Sequence, residues 1–297
     1  MSFLRLGTAC AVFDDAGRAL LSRRGDLDVW NLPTGRSDSG ELLVDAAARE
    51  VREETGVIVN VEHPVGLYYF EATRRLNVLY AGFPVGGEVA GRTAESTANA
   101  YFSPDDLPEN VFADYMVQDA AAEKRRALCI DNTPRTEIMK LRLKLARRYV
   151  LNALRGRPEP KHVRFDVRAV AVIWDRPHKR ILTMHGKHER VLPYVPGDGK
   201  RAPWEELARG LRRWLNTAPE LHWVGVWQDT TTDAIEFVFA ATVDEHSIAT
   251  ATEWQSARNA ALMSRDALYV NCIKSTYRTD FIWLLAHQPG DVRIIQH

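Results

Sequence analysis

The chain has 297 residues, 45% hydrophobic and 26% charged, and its 39 basic and 39 acidic side chains cancel to a net charge of zero. That length is too great for one ordinary domain and fits two of about 130 to 150 residues, each able to bury its own core. Zero net charge removes any global electrostatic case for nucleic acid or membrane binding and leaves only local clusters to consider. The three cysteines, Cys10, Cys129 and Cys272, are far apart and odd in number, which argues against a disulfide framework and for a reducing compartment. Met1 to Phe13 lacks a cleavage-site pattern and reads as a first strand, and no apolar run is long enough to span a bilayer, so a cytoplasmic protein is expected.

In chain order, Leu4 to Phe13 and Arg18 to Arg23 are predicted strands around an Asp14-Asp15-Ala16-Gly17 turn. A helix is predicted from about Gly40 to Thr55, followed by strands at Val57 to Thr73 and Arg75 to Val85. A further strand near Asn99 to Ser103 leads to a closing helix. On the first helix, Glu50, Glu53 and Glu54 fall within roughly a 100° arc, because a helix turns about 100° per residue. Leu43, Val44, Ala47, Ala48, Val51 and Thr55 take a neighbouring arc and give the helix an apolar side to bury. The acids are left at the rim of the core, where clustered carboxylates are hard ligands suited to Mg²⁺ or Mn²⁺. Arg49 is placed to pair with one of them and fix its orientation. Gly35, in the loop after Leu32-Pro33-Thr34, is expected to take a positive φ that brings backbone close to metal or phosphate. Gly56 is expected to end the helix as its left-handed cap.

Gly35, five residues, Glu41, seven residues, and then Arg49-Glu50-Val51-Arg52-Glu53-Glu54-Thr55-Gly56-Val57 make up a complete Nudix box. Seven of these nine pattern positions demand one residue type, so a chance match is on the order of one in a billion per start position. The first half of the chain therefore resembles Nudix hydrolases. The resemblance implies an αβα sandwich with a mixed sheet and a Mg²⁺-dependent enzyme. Its substrate would be a nucleoside diphosphate linked to another moiety X, cleaved by metal-activated water. It implies Glu50, Glu53 and Glu54 as metal ligands, Arg49 as their partner, and a general base that is either a box glutamate, first Glu53, or a later carboxylate, here Glu95. Arg23 and Arg24 are candidates for holding phosphates, and Trp30, Tyr68, Tyr69 and Phe70 for stacking on a base. Three other readings compete: a protein sensing a nucleotide such as ADP-ribose, an RNA 5′-end pyrophosphohydrolase, and isomerase chemistry of the isopentenyl diphosphate type.

From Arg135 to Arg157 the chain carries eight basic residues, Arg135, Lys140, Arg142, Lys144, Arg147, Arg148, Arg155 and Arg157, against Glu137 alone. Ile138, Leu141, Leu145 and Tyr149 recur at helical spacing there, and Gly156, Pro158 and Pro160 supply a stop. The segment reads as an amphipathic basic helix that either docks on its neighbours or follows RNA phosphates.

Beyond it the sequence repeats. A shift of about 160 residues lays Leu32-Pro33 on Leu192-Pro193, Ala11-Val12 on Ala171-Val172, and Val65-Gly66 on Val224-Gly225. The expected organisation is a catalytic domain at 1–125, a basic connector at 126–161 and a degenerate copy at 162–297. In that copy Arg201 falls opposite Glu41, Gly210 opposite Glu50, Arg213 opposite Glu53 and Trp214 opposite Glu54, so no catalytic Mg²⁺ is expected there. Arg209 survives opposite Arg49, and Asn216 replaces the Gly56 cap. Trp204, Trp223 and Trp227 are candidate pocket residues, and His185 with His188 has a weak metal spacing. The copies could pair within one chain as a pseudo-dimer or between chains as a homodimer.

Overall fold

From Leu6 to Val12 every residue of β1 (Arg5–Val12) is buried, as expected of a strand covered on both faces. The computed structural model describes residues 4–131 apart from 26, 125 and 126, scattered positions from 133 to 154, and residues 163–256 apart from 176–179, 186–189, 216 and 245–252. The backbone divides into two compact units, Phe3–Phe165 and Asp166–His297.

In the first unit, β2 (Ala19–Arg24), β3 (Val29–Asn31) and β7 (Ser96–Phe102) form a small sheet in the order β3-β2-β7. The larger sheet joins β4 (Thr34–Gly35), β1, β6 (Arg75–Gly87), β5 (Val57–Phe70) and β8 (Ala127–Asp131), in the order β4-β1-β6-β5-β8. It is mixed: β1 runs parallel to β6, with Arg5 opposite Arg75, while β5 and β6 form an antiparallel hairpin. Strand β5 stops at Phe70 because residues 71–74 turn, with Arg74 at φ 53°.

The core of this unit collects Ala9, Ala11, Leu21, Tyr68, Phe70 and Leu79 against Met116 and Val117 of helix α2 (Asp114–Ala121). By strand alternation, Leu6, Thr8, Cys10 and Val12 point to the opposite face of the sheet. Helix α1 (Leu43–Thr55) buries Leu43, Val44, Ala46, Ala47 and Val51. Each larger member of that stripe contributes about 2 kcal/mol of transfer free energy. Gly56 ends the helix at φ 79°, and its N–H donates to the Arg52 carbonyl, as the sequence requires.

Two expectations are corrected here. Helix α1 begins at Leu43 rather than Gly40, since Gly40 takes φ 79° and breaks the helical backbone before it starts. Residues 127–131, assigned to the connector, are a sheet strand, with Gly66 opposite Ala127 and Phe70 opposite Asp131, so the first sheet extends past residue 125. Of the basic segment, Thr136, Met139, Lys140, Leu143, Ala146, Arg147, Val150 and Leu154 are helical and exposed. The stripe Ile138, Leu141, Leu145 and Tyr149 lies outside the described residues. No helix among the described residues is long and apolar enough to cross a membrane.

In the second unit β9 (Asp166–Asp175) runs parallel to β14 (Ala234–Val243), and β13 (His222–Asp229) pairs antiparallel with β14. Strand β12 (Tyr194–Pro196) lies antiparallel to β9 on its other side. Strand β10 (Arg180–His185) pairs with β11 (Arg190–Val191) and β15 (Glu253–Ser256). Helix α3 (Pro203–Leu211) starts on a proline with Glu205 and Glu206 in its first turn and Arg209 in its last, a distribution that matches the helix dipole. Trp204, Trp223 and Trp227 are buried, so these rings fill core rather than line an open pocket. The cap at Asn216 and the pair His185 and His188 carry no account, since Asn216, His188 and the His185 side chain lie outside the described residues.

Glu236 on β14 is buried, and that desolvation pushes its carboxyl up to about 7 despite Arg168, whose Nη1 is 3.6 Å away. The unfolded chain releases this proton near the ordinary glutamate value of 4.5. Between those limits the native state holds the extra proton, so its stability falls as pH rises through the window. Thermal melting from about pH 4 to 8 is expected to show the wild type losing stability relative to Glu236→Gln as pH rises. A gap between the two proteins that stays constant with pH contradicts this assignment.

Candidate metal centre and active site

Glu50 and Glu54 sit one turn apart on α1 and are only 7% and 6% exposed. Glu95, exposed just before β7, completes a group in which one oxygen of each carboxylate lies within 4.8 Å of the others. Three residues flanking Glu95 tie its segment to the helix end. Ser96 Oγ and Asn99 Nδ2 donate to the Glu54 carbonyl at 2.9 Å each, and Thr93 Oγ1 does so at 3.3 Å. These bonds satisfy a terminal carbonyl that the helix itself cannot. Sequence reasoning missed Thr93, Ser96 and Asn99. Their only signal was a three-residue polar spacing, with nothing to link it to a helix ending some forty positions earlier.

Electrostatics make the group costly as it stands. Burial, and after it the neighbouring Glu50, pushes the Glu54 carboxyl up to about 8, against the opposing effect of Arg24 and a backbone bond from Thr34. Glu54 Oε2 is buried with no hydrogen-bond partner. Burial also raises Glu50, which Arg49 partly offsets from 3.0 Å. A buried, unpartnered carboxylate oxygen facing two further carboxylates is a place that a hard cation fits, and oxygen-only donors favour Mg²⁺ or Mn²⁺.

Arg49 is the hub behind the acids. It holds Glu41 through two bonds of 2.8 and 3.0 Å, the Arg36 carbonyl at 2.9 Å, Glu50 at 3.0 Å and Glu53 at 3.1 Å. Its hydrogen bonds to Glu41, set against desolvation, raise its pKa, so it stays charged. On Glu41, desolvation is outweighed by bonds from Arg49 and the Asp38 N–H, which hold that carboxyl below its ordinary range. Glu41 thereby ties the loop before α1 to the helix.

Several assignments from the sequence change. Glu53 is 43% exposed, faces Arg49 and is not in the close carboxylate group, which it was expected to join. Gly35 is absent from the positive-φ residues, so left-handed backbone is not what it supplies. A Cβ at position 35 would overlap the Glu50 carboxylate; the glycine provides the space in which that carboxylate lies. Tyr69 is 1% exposed and cannot stack on a ligand from inside the core, and Tyr68 and Phe70 are buried as well. Trp30 packs edge-on against Phe102, with ring centroids 4.9 Å apart. Arg23 is paired with Asp28 at 2.7 Å, whereas Arg24 lies close enough to Glu54 to shift its titration.

Residues 3–121 match the profile of the NUDIX domain. The chain is 34% identical over 113 residues to a MutT-like protein of Streptomyces ambofaciens, an alignment covering 38% of this chain and 73% of that one. The chain belongs to the Nudix family. A Bacillus subtilis (strain 168) protein provisionally named an 8-oxo-dGTP diphosphatase is 32% identical over 102 residues, covering 34% of this chain and 68% of the relative. Among solved structures, a NUDIX hydrolase from Nitrosomonas europaea is similar at a TM-score of 0.41 and 20% identity, over 44% of this chain and 80% of that one. The protein is a Nudix pyrophosphohydrolase, and Nudix hydrolases generally use a divalent metal.

Gly35→Ala is expected to displace the Glu50 carboxylate and weaken Mn²⁺ binding about 10- to 100-fold. Isothermal titration with Mn²⁺ measures this, with thermal melting as the check on folding. A folded variant with wild-type affinity assigns the glycine some other purpose.

Proposed function

We propose that the first unit is a Mg²⁺-dependent hydrolase that cleaves the diphosphate linkage of a nucleoside diphosphate joined to another moiety X, with water as the nucleophile. The observation that carries this reading is the convergence of Glu50, Glu54 and Glu95 around the unpartnered Glu54 oxygen. Glu50 and Glu54 would hold the cation, which when bound supplies neutralisation of diphosphate charge and a lower pKa for water. Glu95, the exposed member, takes the proton that the attacking water gives up, a role its accessibility suits better than the ion-paired Glu53. Arg49 keeps the Glu50 carboxylate oriented. Arg24 offers positive charge beside Glu54 for a substrate phosphate.

The second unit is read as a degenerate copy at 162–297, behind a catalytic domain that runs to Asp131 and a basic connector. Several matched details support this reading. The Cys10 N–H donates to the Pro33 carbonyl at 3.1 Å, and the Ala171 N–H donates to the Pro193 carbonyl at 2.8 Å, which sets Ala171 against Cys10, one residue from the Ala11 that the sequence repeat lays on it. The hairpin register slips between Pro64 and Gly66 in one unit and between Trp223 and Gly225 in the other. A Cβ at Gly35 would meet Glu50, and a Cβ at Gly210 would meet Val195. Positions 35 and 50 answer to 195 and 210, so the copy fills the carboxylate's place with an apolar side chain and moves the glycine to the helix. The role proposed for such a unit is scaffolding, with no cation held at the place equivalent to Glu50.

The test is turnover with Mg²⁺ across ADP-ribose, NADH, diadenosine polyphosphates, nucleoside triphosphates, nucleotide sugars and 5′-triphosphate RNA. Activity is expected on at least one, with Glu54→Gln lowering kcat by about 100-fold or more. A wild type that binds but turns over none of them favours the sensing alternative. Activity surviving in Glu54→Gln removes the proposed centre.

A further inference from the structure

Strands β1 and β6 run side by side with Gly7 opposite Asn77, and Arg75 precedes Asn77 on the same face of β6. Arg75 Nε donates to Asn77 Oδ1 at 2.8 Å, and its Nη2 donates to the Gly35 carbonyl. A Cβ at Gly7 would overlap both the Arg75 guanidinium and the Gly35 carbonyl. The residue opposite Asn77 is thus glycine because a guanidinium crosses there. The Gly35 peptide it reaches is the one whose missing side chain makes room for Glu50. The contacts form one line: Asn77 aims Arg75, Arg75 grips Gly35, and Gly35 seats the Glu50 carboxylate.

We infer that Arg75 is a positioning residue for the acid centre, fixing the short strand β4 so that Glu50 is held in place for a cation. The inference rests on the reading of Glu50 as a cation ligand. The geometry calls for arginine specifically, because a planar fork can serve Asn77 and Gly35 at once, whereas an ammonium on a flexible stem cannot hold that angle. Arg24, Arg36 and Arg5 add positive charge around it, and Glu50 acts against them as an acidic counterweight.

The second unit supplies an independent observation. Its strand pairing sets Arg168 opposite Glu236 where the first unit has Gly7 opposite Asn77, and places Ala234 where the first unit has Arg75. Arg168 pairs with Asp166 at 2.9 Å, and its guanidinium lies 5.5 Å from the centre of the Tyr194 ring on β12. The arginine stands on the other strand, at the place of Gly7, and alanine takes the place of Arg75, yet a guanidinium still lies against the short strand that precedes the helix. The first unit differs in that the strand also seats a carboxylate.

Arg75→Ala, Arg75→Lys, Asn77→Leu and Glu50→Gln in the full chain test this, with Mn²⁺ titration calorimetry, melting temperature, and kcat and KM on a substrate found active in the panel. Arg75→Ala is expected to weaken Mn²⁺ binding about tenfold and lower kcat by a similar factor, with KM changed less than about twofold. Arg75→Lys should recover part of the loss, and Asn77→Leu should show a smaller loss in the same direction. Wild-type Mn²⁺ affinity in folded Arg75→Ala overturns the inference, as does a rise in KM at unchanged kcat, which would make Arg75 a substrate contact. If Arg75→Ala does not fold, wild-type affinity in both Arg75→Lys and Asn77→Leu overturns it instead. Glu50→Gln separates the two claims: unchanged Mn²⁺ affinity there overturns the cation reading and this inference with it. Loss there, without loss in the Arg75 variants, overturns the inference alone.

Discussion

Two carboxylates that repel one another are held at the edge of a hydrophobic core, and the surrounding structure can be understood as the means of keeping them there. Glu50 and Glu54 are nearly buried, and burial alone drives both toward the neutral form. Leaving a charge so placed without a partner costs several kcal/mol, far more than a surface pair returns. Arg49 offsets part of that cost at Glu50, and Arg24 part of it at Glu54. Neither removes it, because Glu54 Oε2 still has no hydrogen-bond donor. A protein that retains such an arrangement stores a demand for positive charge in a defined position, which is what electrostatic preorganisation means in physical terms.

Glycines settle how that demand is accommodated sterically. In the first unit Gly35 yields space to Glu50 and Gly7 yields space to Arg75; in the second, Gly210 yields space to Val195. None of these three takes a left-handed backbone, whereas Gly56 does, at φ 79°. The distinction matters for reading sequences, because a glycine near a functional residue is readily credited with conformational freedom when it is a vacancy for a neighbour's side chain.

Much of the frame was legible because it depends on local periodicity. The apolar stripe of α1, its Gly56 cap and the strands β1, β2, β5 and β6 follow from patterns that a single segment contains, whereas the short strands β3 and β4 read as loop. The box also announced the Arg49 hub. What escaped notice depends on contacts between distant segments. Strand β8 reads as a weak, half-buried piece of chain, and only the open edge of β5 makes it a strand. Tyr69 resembles a ligand-stacking residue until the sheet buries it. Glu53 and Glu95 are equally acidic in the sequence; which of them faces Glu54 is decided by three side chains binding one carbonyl.

That last contact constrains how the protein can vary. The Glu54 carbonyl accepts from the segment carrying Glu95, while the Ala90 N–H donates to the Thr55 carbonyl at 2.8 Å and the Ala90 carbonyl accepts from Asn99 at the same distance. The segment from Ala90 to Asn99 is therefore laced to the helix end at both its borders. Inserting or deleting a residue there would unlace the helix terminus as well as shift the loop. The stretch between Phe102 and Asp114 is tied instead to Trp30, through Asn110 and Phe112, and it is there that length can change while the reaction centre stays intact.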